Sequence, residues 1–90
     1  MFIKTERRKG KGGSRYNYYR LMESFRDEYG AVDKRPVLGL GRLEGFSNMD
    51  LADFVVLLNR RLRGEPSTLH PELHSAAVLD KVEDVYSQLI

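Results

Sequence analysis

The sequence predicts an α+β protein: a three-stranded antiparallel β-meander followed by two α-helices packed on one face of the sheet. Residues 1–46 alternate β-forming side chains with short glycine-containing turns, whereas residues 47–90 carry apolar residues at helical spacing. Short turns between successive strands favour an antiparallel meander. We expect a basic β-sheet over 1–46 and a two-helix segment over 47–90, which together form one small domain over 1–90.

Turn residues bound each of the three predicted strands. The first strand is predicted over Phe2–Lys9 and ends in the loop Gly10–Ser14, whose glycines tolerate positive φ angles. The second strand, Arg15–Arg26, is the clearest because its tyrosines have high β-propensity. A turn with Gly30 in the left-handed position leads to the third strand, predicted over Lys34–Leu43.

Period-two alternation along the second strand predicts which residues share a face. One face carries Tyr19, Leu21 and Phe25, and the other carries Tyr16, Tyr18, Arg20 and Met22. We expect the first set to form the core together with the helices. Glu23 is the odd member of that set, and we expect it to pair with Arg35 or Arg42 across the ladder. Pro36 indicates that the third strand starts on an edge or at a bulge.

Capping residues and apolar stripes predict the two helices. Ser47 suits an N-cap, Asp50 completes a capping box, and Gly64 suits the position after the helix end. The stripe of the first helix is Leu51, Phe54, Val55, Leu58 and Leu62. We expect the second helix to begin at Pro71. Its stripe is Val78, Val82, Val85 and Leu89, widened by Leu79 and Tyr86.

Length and composition exclude several classes of protein. A chain of 90 residues has no room for a scaffold around a buried active site. The absence of cysteine rules out disulfides, thiolate metal sites and a cysteine nucleophile, and it agrees with the cytoplasmic location that we expect. No apolar run is long enough to span a membrane, and no secretion signal is visible.

None of the short motifs indicates catalysis. His70 and His74 lack both the metalloprotease spacing and a third ligand, so we predict no metal site. Gly39-Leu40-Gly41 is only a fragment of a dinucleotide fingerprint, and Gly10–Ser14 lacks the order of a phosphate-binding P-loop. We therefore predict no catalytic residue, no cofactor, no small-molecule substrate and no enzymatic activity for this chain alone.

The charge distribution points to a polyanionic partner. Residues 1–42 hold eleven Lys or Arg against five Asp or Glu, whereas residues 43–90 hold four against eight. A two-stranded ribbon fits the major groove of DNA, and basic side chains near its tip would neutralise phosphates. The predicted DNA-binding residues are Lys4, Arg7, Arg8, Lys9, Lys11, Arg15, Tyr16 and Arg20. Packing across strands is an alternative explanation of the tyrosines, and a solvated loop is an alternative explanation of the whole basic segment.

Several segments in order resemble the opening of bacterial insertion-sequence transposases. They are the start Met1–Lys4, the segment Tyr18–Arg26, the segment Val37–Leu43 with Arg35 before it, and the helix end Leu62-Arg63-Gly64. The resemblance is to the DDE type, in the group with an RNase H-like catalytic domain interrupted by a β-rich insertion. It covers residues 1–64 well and residues 72–90 loosely. Ala31-Val32-Asp33 departs from a stretch that is often basic in such proteins.

The resemblance implies an N-terminal region that recognises the terminal inverted repeats of the element as double-stranded DNA. It also implies that the catalytic Asp, Asp and Glu lie beyond residue 90, so the chain would be a truncated transposase or the first of two reading frames. We further expect a homodimer through the C-terminal helix. Three alternatives remain open: a tyrosine-recombinase arm domain, which normally has one helix after its sheet, a protein-interaction module without DNA affinity, and RNA binding.

Overall fold

The computed structural model describes residues 1–90 and confirms the predicted fold class, a three-stranded antiparallel sheet followed by two helices. The chain forms two compact units, Met1–Glu44 and Gly45–Ile90. The first unit contains the sheet and the second contains the helices. Neither helix is both long and apolar enough to cross a membrane. Packing of the helices on one face of the sheet stays a prediction.

The sheet has the order β1-β2-β3, with β1 at Phe2–Lys9, β2 at Arg15–Arg26 and β3 at Val32–Gly41. The first two strands have the predicted bounds, whereas β3 begins and ends two residues earlier than predicted. It begins early because the side chain of Asp27 accepts hydrogen bonds from the backbone of Tyr29 and Ala31, which closes the turn. It ends early because the backbone at Gly41 has a φ of 82°, outside the β region.

The pairing of β2 with β3 contains two bulges. Leu21 pairs with Leu38 but Met22 pairs with Pro36, so Val37 is an extra residue. A second register shift falls between Tyr19 and Arg20 of β2. Pro36 therefore lies at a bulge on an edge strand, as its missing N–H requires. The predicted pairing of Glu23 is also confirmed, since it forms a salt bridge with Arg35 directly opposite.

Buried side chains of the sheet lie on both of its faces. Leu21 and Met22 are neighbours and point to opposite sides, yet both are buried, as is Leu40. Tyr19 and Phe25 share the face of Leu21 but are only half-buried. Of the three residues expected in the core, only Leu21 is therefore buried, and Met22 of the opposite face is buried as well. The period-two alternation assigned the residues to the correct faces, but it could not predict how deeply each residue is buried.

Local signals define both ends of α1, Asn48–Leu62. The Ser47 hydroxyl accepts a hydrogen bond from the Asp50 backbone, and the Asp50 carboxylate accepts one from the Ser47 backbone, which confirms the capping box. At the other end, the Gly64 N–H donates to the Arg61 carbonyl and the Glu65 N–H to the Arg60 carbonyl. This is a Schellman motif, and it needs the positive φ of Gly64.

The second helix, α2, is Ala76–Leu89, five residues later than predicted. Pro71 does begin a helical turn, but this is a single 3-10 turn over Pro71–Leu73. His74 follows with an extended backbone, which interrupts the helical path. Pro71 therefore occupies the first position of a three-residue helical turn, and the prediction that α2 begins there was wrong.

The helical unit packs around a small apolar core. Its buried residues are Phe54, Leu57 and Leu58 of α1 with Val78, Val82 and Val85 of α2. The α2 stripe is confirmed at its three valines. In α1 the periodic pattern omitted Leu57, which is 2% exposed, and included Val55, which is half-buried. A salt bridge between Arg61 and Glu83 also joins the two helices.

The two helix starts offer a matched test of capping. We expect Ser47→Ala to lower the free energy of unfolding by about 1 kcal/mol, because it leaves an N–H of the first turn unpaired. Ser75 occupies the equivalent position before α2 but makes no side-chain capping bond. Ser75→Ala should therefore change the stability by only a few tenths of a kcal/mol. Urea unfolding followed by circular dichroism at 222 nm measures both, and equal losses would contradict this assignment.

Candidate nucleic-acid interface

The hairpin of β1 and β2 ends in the most basic part of the chain. Directly opposed residues of an antiparallel pair project to the same face of the sheet. Arg7 lies opposite Asn17, and Lys9 lies opposite Arg15. These four residues therefore form one surface, called the Arg7 face below. Lys11 lies in the 3-10 turn Lys11–Gly13 that joins the strands.

The cations of the Arg7 face, and Lys11 at the tip, have no acidic partner. Arg7, Lys9, Lys11 and Arg15 are exposed, and none of them forms a salt bridge. Like charges directly opposite each other destabilise a strand pair, so the Lys9–Arg15 pair works against the hairpin. Arg7, Arg15 and Asn17 line one shallow cleft together with Tyr16. The surface is therefore open and carries an excess of positive charge.

The opposite side of the hairpin, called the Tyr18 face below, carries Lys4, Glu6, Arg8, Tyr16, Tyr18 and Arg20. Here the arginines are already paired. The Glu6 carboxylate lies 3.2 Å from Arg8 Nη2 and 3.6 Å from Arg20 Nε. The Arg8 guanidinium also stacks 3.9 Å above the centre of the Tyr18 ring. These contacts neutralise part of the charge and hold the side chains in place.

The Tyr18 ring is a packing element of this face. Its hydroxyl reaches over Gly39 of β3, where an added Cβ would collide with it. The glycine at this position thus allows the ring to lie flat across the neighbouring strand. Tyr18 is half-buried, and the Arg20 guanidinium approaches the same ring at 5.8 Å. These contacts agree with the interpretation that Tyr18 packs across strands.

Tyr16 is covered in a similar way. The guanidinium of Arg42 lies 4.0 Å from the centre of its ring and 3.7 Å from Glu44. Arg42 was absent from the predicted interface, because its position beside Tyr16 depends on the β2–β3 register. Asn17 was also absent. Its alternation with Arg15 could have placed it on the Arg7 face from sequence alone.

The structure divides the eight predicted DNA-binding residues into two groups. Arg7, Lys9 and Arg15 lie on the Arg7 face, with Lys11 at the tip. Lys4, Arg8, Tyr16 and Arg20 lie on the Tyr18 face. A continuous run of basic residues in a strand necessarily alternates between faces. The eight residues therefore do not form one surface, and DNA contact by any of them stays a prediction.

The environment of Glu6 predicts a pH dependence of stability. The hydrogen bond from Arg8, followed by the charges of Arg20, Arg8 and Lys4, holds the pKa of the Glu6 carboxyl below its usual range, although partial burial opposes this. A carboxyl with a lowered pKa in the folded state stabilises the protein above its unfolded-state pKa. That stabilisation disappears as the pH falls through the folded-state pKa.

We therefore expect the stability difference between wild type and Glu6→Gln to shrink as the pH falls from 6 to 3. Urea unfolding at a series of pH values measures this difference. Glu28→Gln serves as the control, because Glu28 is exposed and forms no salt bridge. A Glu6→Gln profile that stays parallel to that of wild type over the whole range would contradict the role given to Glu6.

The two histidines lie in the helical unit and serve different contacts. His74 Nδ1 lies 2.6 Å from Asp53 Oδ2, and His74 Nε2 lies 3.1 Å from Thr68 Oγ1. Thr68 Oγ1 also accepts a hydrogen bond from the backbone of His70. This chain of contacts ties the segment before α2 to α1. No group of three or more His, Cys, Asp or Glu residues is placed to hold a metal ion.

A comparison with protein families identifies the family of the chain. A family model described as "IS1634 family transposase, N-terminal domain" matches residues 3–65, which include the whole sheet except Phe2 and all of α1. The chain is therefore a transposase N-terminal domain. It belongs to the IS1634 family, which confirms its resemblance to insertion-sequence transposases. No curated protein and no solved structure matches the chain.

Proposed function

We propose that this chain binds double-stranded DNA through its β1–β2 hairpin and recognises the ends of an insertion sequence during transposition. The observation that carries this proposal is the set of four exposed cations without acidic partners at one end of the hairpin: Arg7, Lys9, Lys11 and Arg15. Such a cluster destabilises the isolated protein and is favourable against a polyanion. Because the chain belongs to a transposase family, we propose that this polyanion is DNA.

The chemistry of strand transfer would then belong to another part of the transposase. In this proposal the chain supplies recognition and no catalytic group. It would act in the cytoplasm, where bacterial DNA is accessible. Terminal inverted repeats present two copies of a site, so a homodimer would suit them. The C-terminal helix stays our proposed contact, through residues outside its stripe, because Val78, Val82 and Val85 are buried within the protomer.

The structure bears on two of the alternatives. A tyrosine-recombinase arm domain normally has one helix after its sheet, whereas two helices follow the sheet here. A protein-interaction module would need an exposed apolar stripe on α2. Val78, Val82 and Val85 are each 0% exposed, so the stripe is not available as such a surface. The first observation favours a transposase domain over a recombinase arm domain, and the second favours DNA binding over a protein-interaction module.

Fluorescence anisotropy of labelled duplexes tests the proposal. One duplex carries the DNA that flanks the gene and the other is a scrambled sequence of the same composition. With three or four phosphate contacts, we expect the logarithm of the affinity to fall with the logarithm of the salt concentration with a slope of about −3 to −4. Tighter binding to the flanking duplex supports end recognition, and equal binding to both would contradict it. An absence of binding at 50 mM salt would overturn the DNA-binding proposal itself.

A further inference from the structure

The two faces of the β1–β2 hairpin differ in what their side chains are free to bind. On the Tyr18 face, Glu6 holds Arg8 and Arg20, and the Tyr18 ring holds the Arg8 guanidinium from below. An arginine held in this way must break those contacts before it can bind a base. On the Arg7 face, neither Arg7 nor Asn17 has an ion pair or a hydrogen-bond partner for its side chain.

Arg7 and Asn17 have the chemistry of base recognition. A guanidinium donates two parallel hydrogen bonds to O6 and N7 of guanine, and a side-chain amide both donates to N6 and accepts from N7 of adenine. The two residues lie directly opposite each other. Their Cβ atoms are therefore about 5 Å apart on the same face, so both side chains can reach neighbouring base pairs at once.

The residues beside this pair suit the flanking phosphates. Lys9 and Arg15 form the next opposed pair toward the tip on the same face. Two residues along a strand correspond to about 6.6 Å, close to the rise of two base pairs. Lys11 extends the positive charge around the tip. Because these three cations are long and flexible, they can follow the phosphate backbone while the ribbon lies in the groove.

We infer that Arg7 and Asn17 determine sequence specificity by reading a guanine and a neighbouring adenine in the major groove. Lys9, Lys11 and Arg15 then hold the phosphates without reading sequence. This inference rests on the proposed DNA binding and deepens it. It also assigns the Arg7 face, rather than the Tyr18 face with its stacked tyrosines, as the surface that faces the bases.

Selection from a library of duplexes with twenty randomised positions tests the inference, with the full chain as bait. We expect wild type to enrich a motif that contains a guanine close to an adenine. Arg7→Lys keeps the charge but loses the planar fork, and Asn17→Ala removes the amide. Each variant should bind the enriched duplex about tenfold or more weakly. Neither should change its affinity for a scrambled duplex or the salt slope.

Arg8→Lys is the matched control on the Tyr18 face and should leave selectivity unchanged. A loss of selectivity in Arg8→Lys but not in Arg7→Lys would overturn the inference. Equal losses on enriched and scrambled duplexes would also overturn it, since they would show contact with phosphates alone. Wild type that binds DNA without enriching any motif would overturn the inference and leave DNA binding intact. Wild type that binds no duplex would overturn both.

An RNA duplex of the enriched sequence separates the two nucleic acids. The major groove of A-form RNA is too deep and narrow for side chains to read. We therefore expect wild type to bind the RNA duplex about tenfold or more weakly than the DNA duplex. Equal affinity for both would contradict reading of the major groove.

Discussion

Phe54→Ala should lower the free energy of unfolding of the helical unit by about 3–5 kcal/mol. Phe54 is 0% exposed and is the largest fully buried side chain of the protein, so its removal leaves a cavity in the core formed by α1 and α2. A protein of this length has a total stability of about 5–13 kcal/mol. The variant should therefore be close to unfolding at 37 °C.

Urea unfolding followed by circular dichroism at 222 nm measures this loss. Val56→Ala is the matched control, because Val56 lies on the same helix and is 54% exposed. We expect the control to stay within about 0.5 kcal/mol of wild type. A Phe54→Ala variant as stable as the control would mean that the helices do not depend on this core.

Removal of three cations from the hairpin tip should have the largest effect on DNA binding. We expect the triple variant Lys9→Gln, Lys11→Gln and Arg15→Gln to reduce the magnitude of the salt slope by about 2.7, since each phosphate contact contributes about 0.9. Affinity at 0.1 M salt should fall about a hundredfold or more. Fluorescence anisotropy across a salt series gives both quantities.

A second triple variant separates local contacts from net charge. Arg26→Gln, Lys34→Gln and Arg60→Gln remove the same number of positive charges away from the hairpin tip. Arg60 lies in α1 and forms no salt bridge, and Arg26 and Lys34 lie at the other end of the sheet. We expect this second variant to change the salt slope of the affinity by less than about 1. Equal effects of the two variants would show that total charge, rather than the hairpin tip, determines affinity.

Local sequence signals predicted most elements of the fold. The capping box at Ser47, the glycine that ends α1 and the valine stripe of α2 each depend on residues within a few positions of one another. Predictions failed where a competing local structure intervened. Pro71 begins a 3-10 turn and not the predicted helix. The side chain of Asp27 closes the turn before β3, so that the strand begins earlier than predicted.

The candidate interface was predictable in composition but not in arrangement. The basic cluster is visible in the sequence, and strict alternation could have separated Arg7 from Arg8. The sequence could not predict which arginines form salt bridges and which do not. Arg8 is two residues from Glu6 on β1, but Arg20 of β2 reaches Glu6 only because of the β1–β2 register. The stacking of Arg42 on Tyr16 additionally depends on the bulges in β3.

The central claim is that the β1–β2 hairpin is the surface that contacts DNA. Backbone amide spectra of the ¹⁵N-labelled full chain, recorded as the flanking duplex is added, test it most directly. The account predicts that the resonances of residues 7–17 shift most, whereas those of the turn at residues 27–31 and of α2 stay in place. Shifts concentrated in the basic C-terminal turn of α1, at Arg60–Arg63, with the hairpin unchanged, would contradict it.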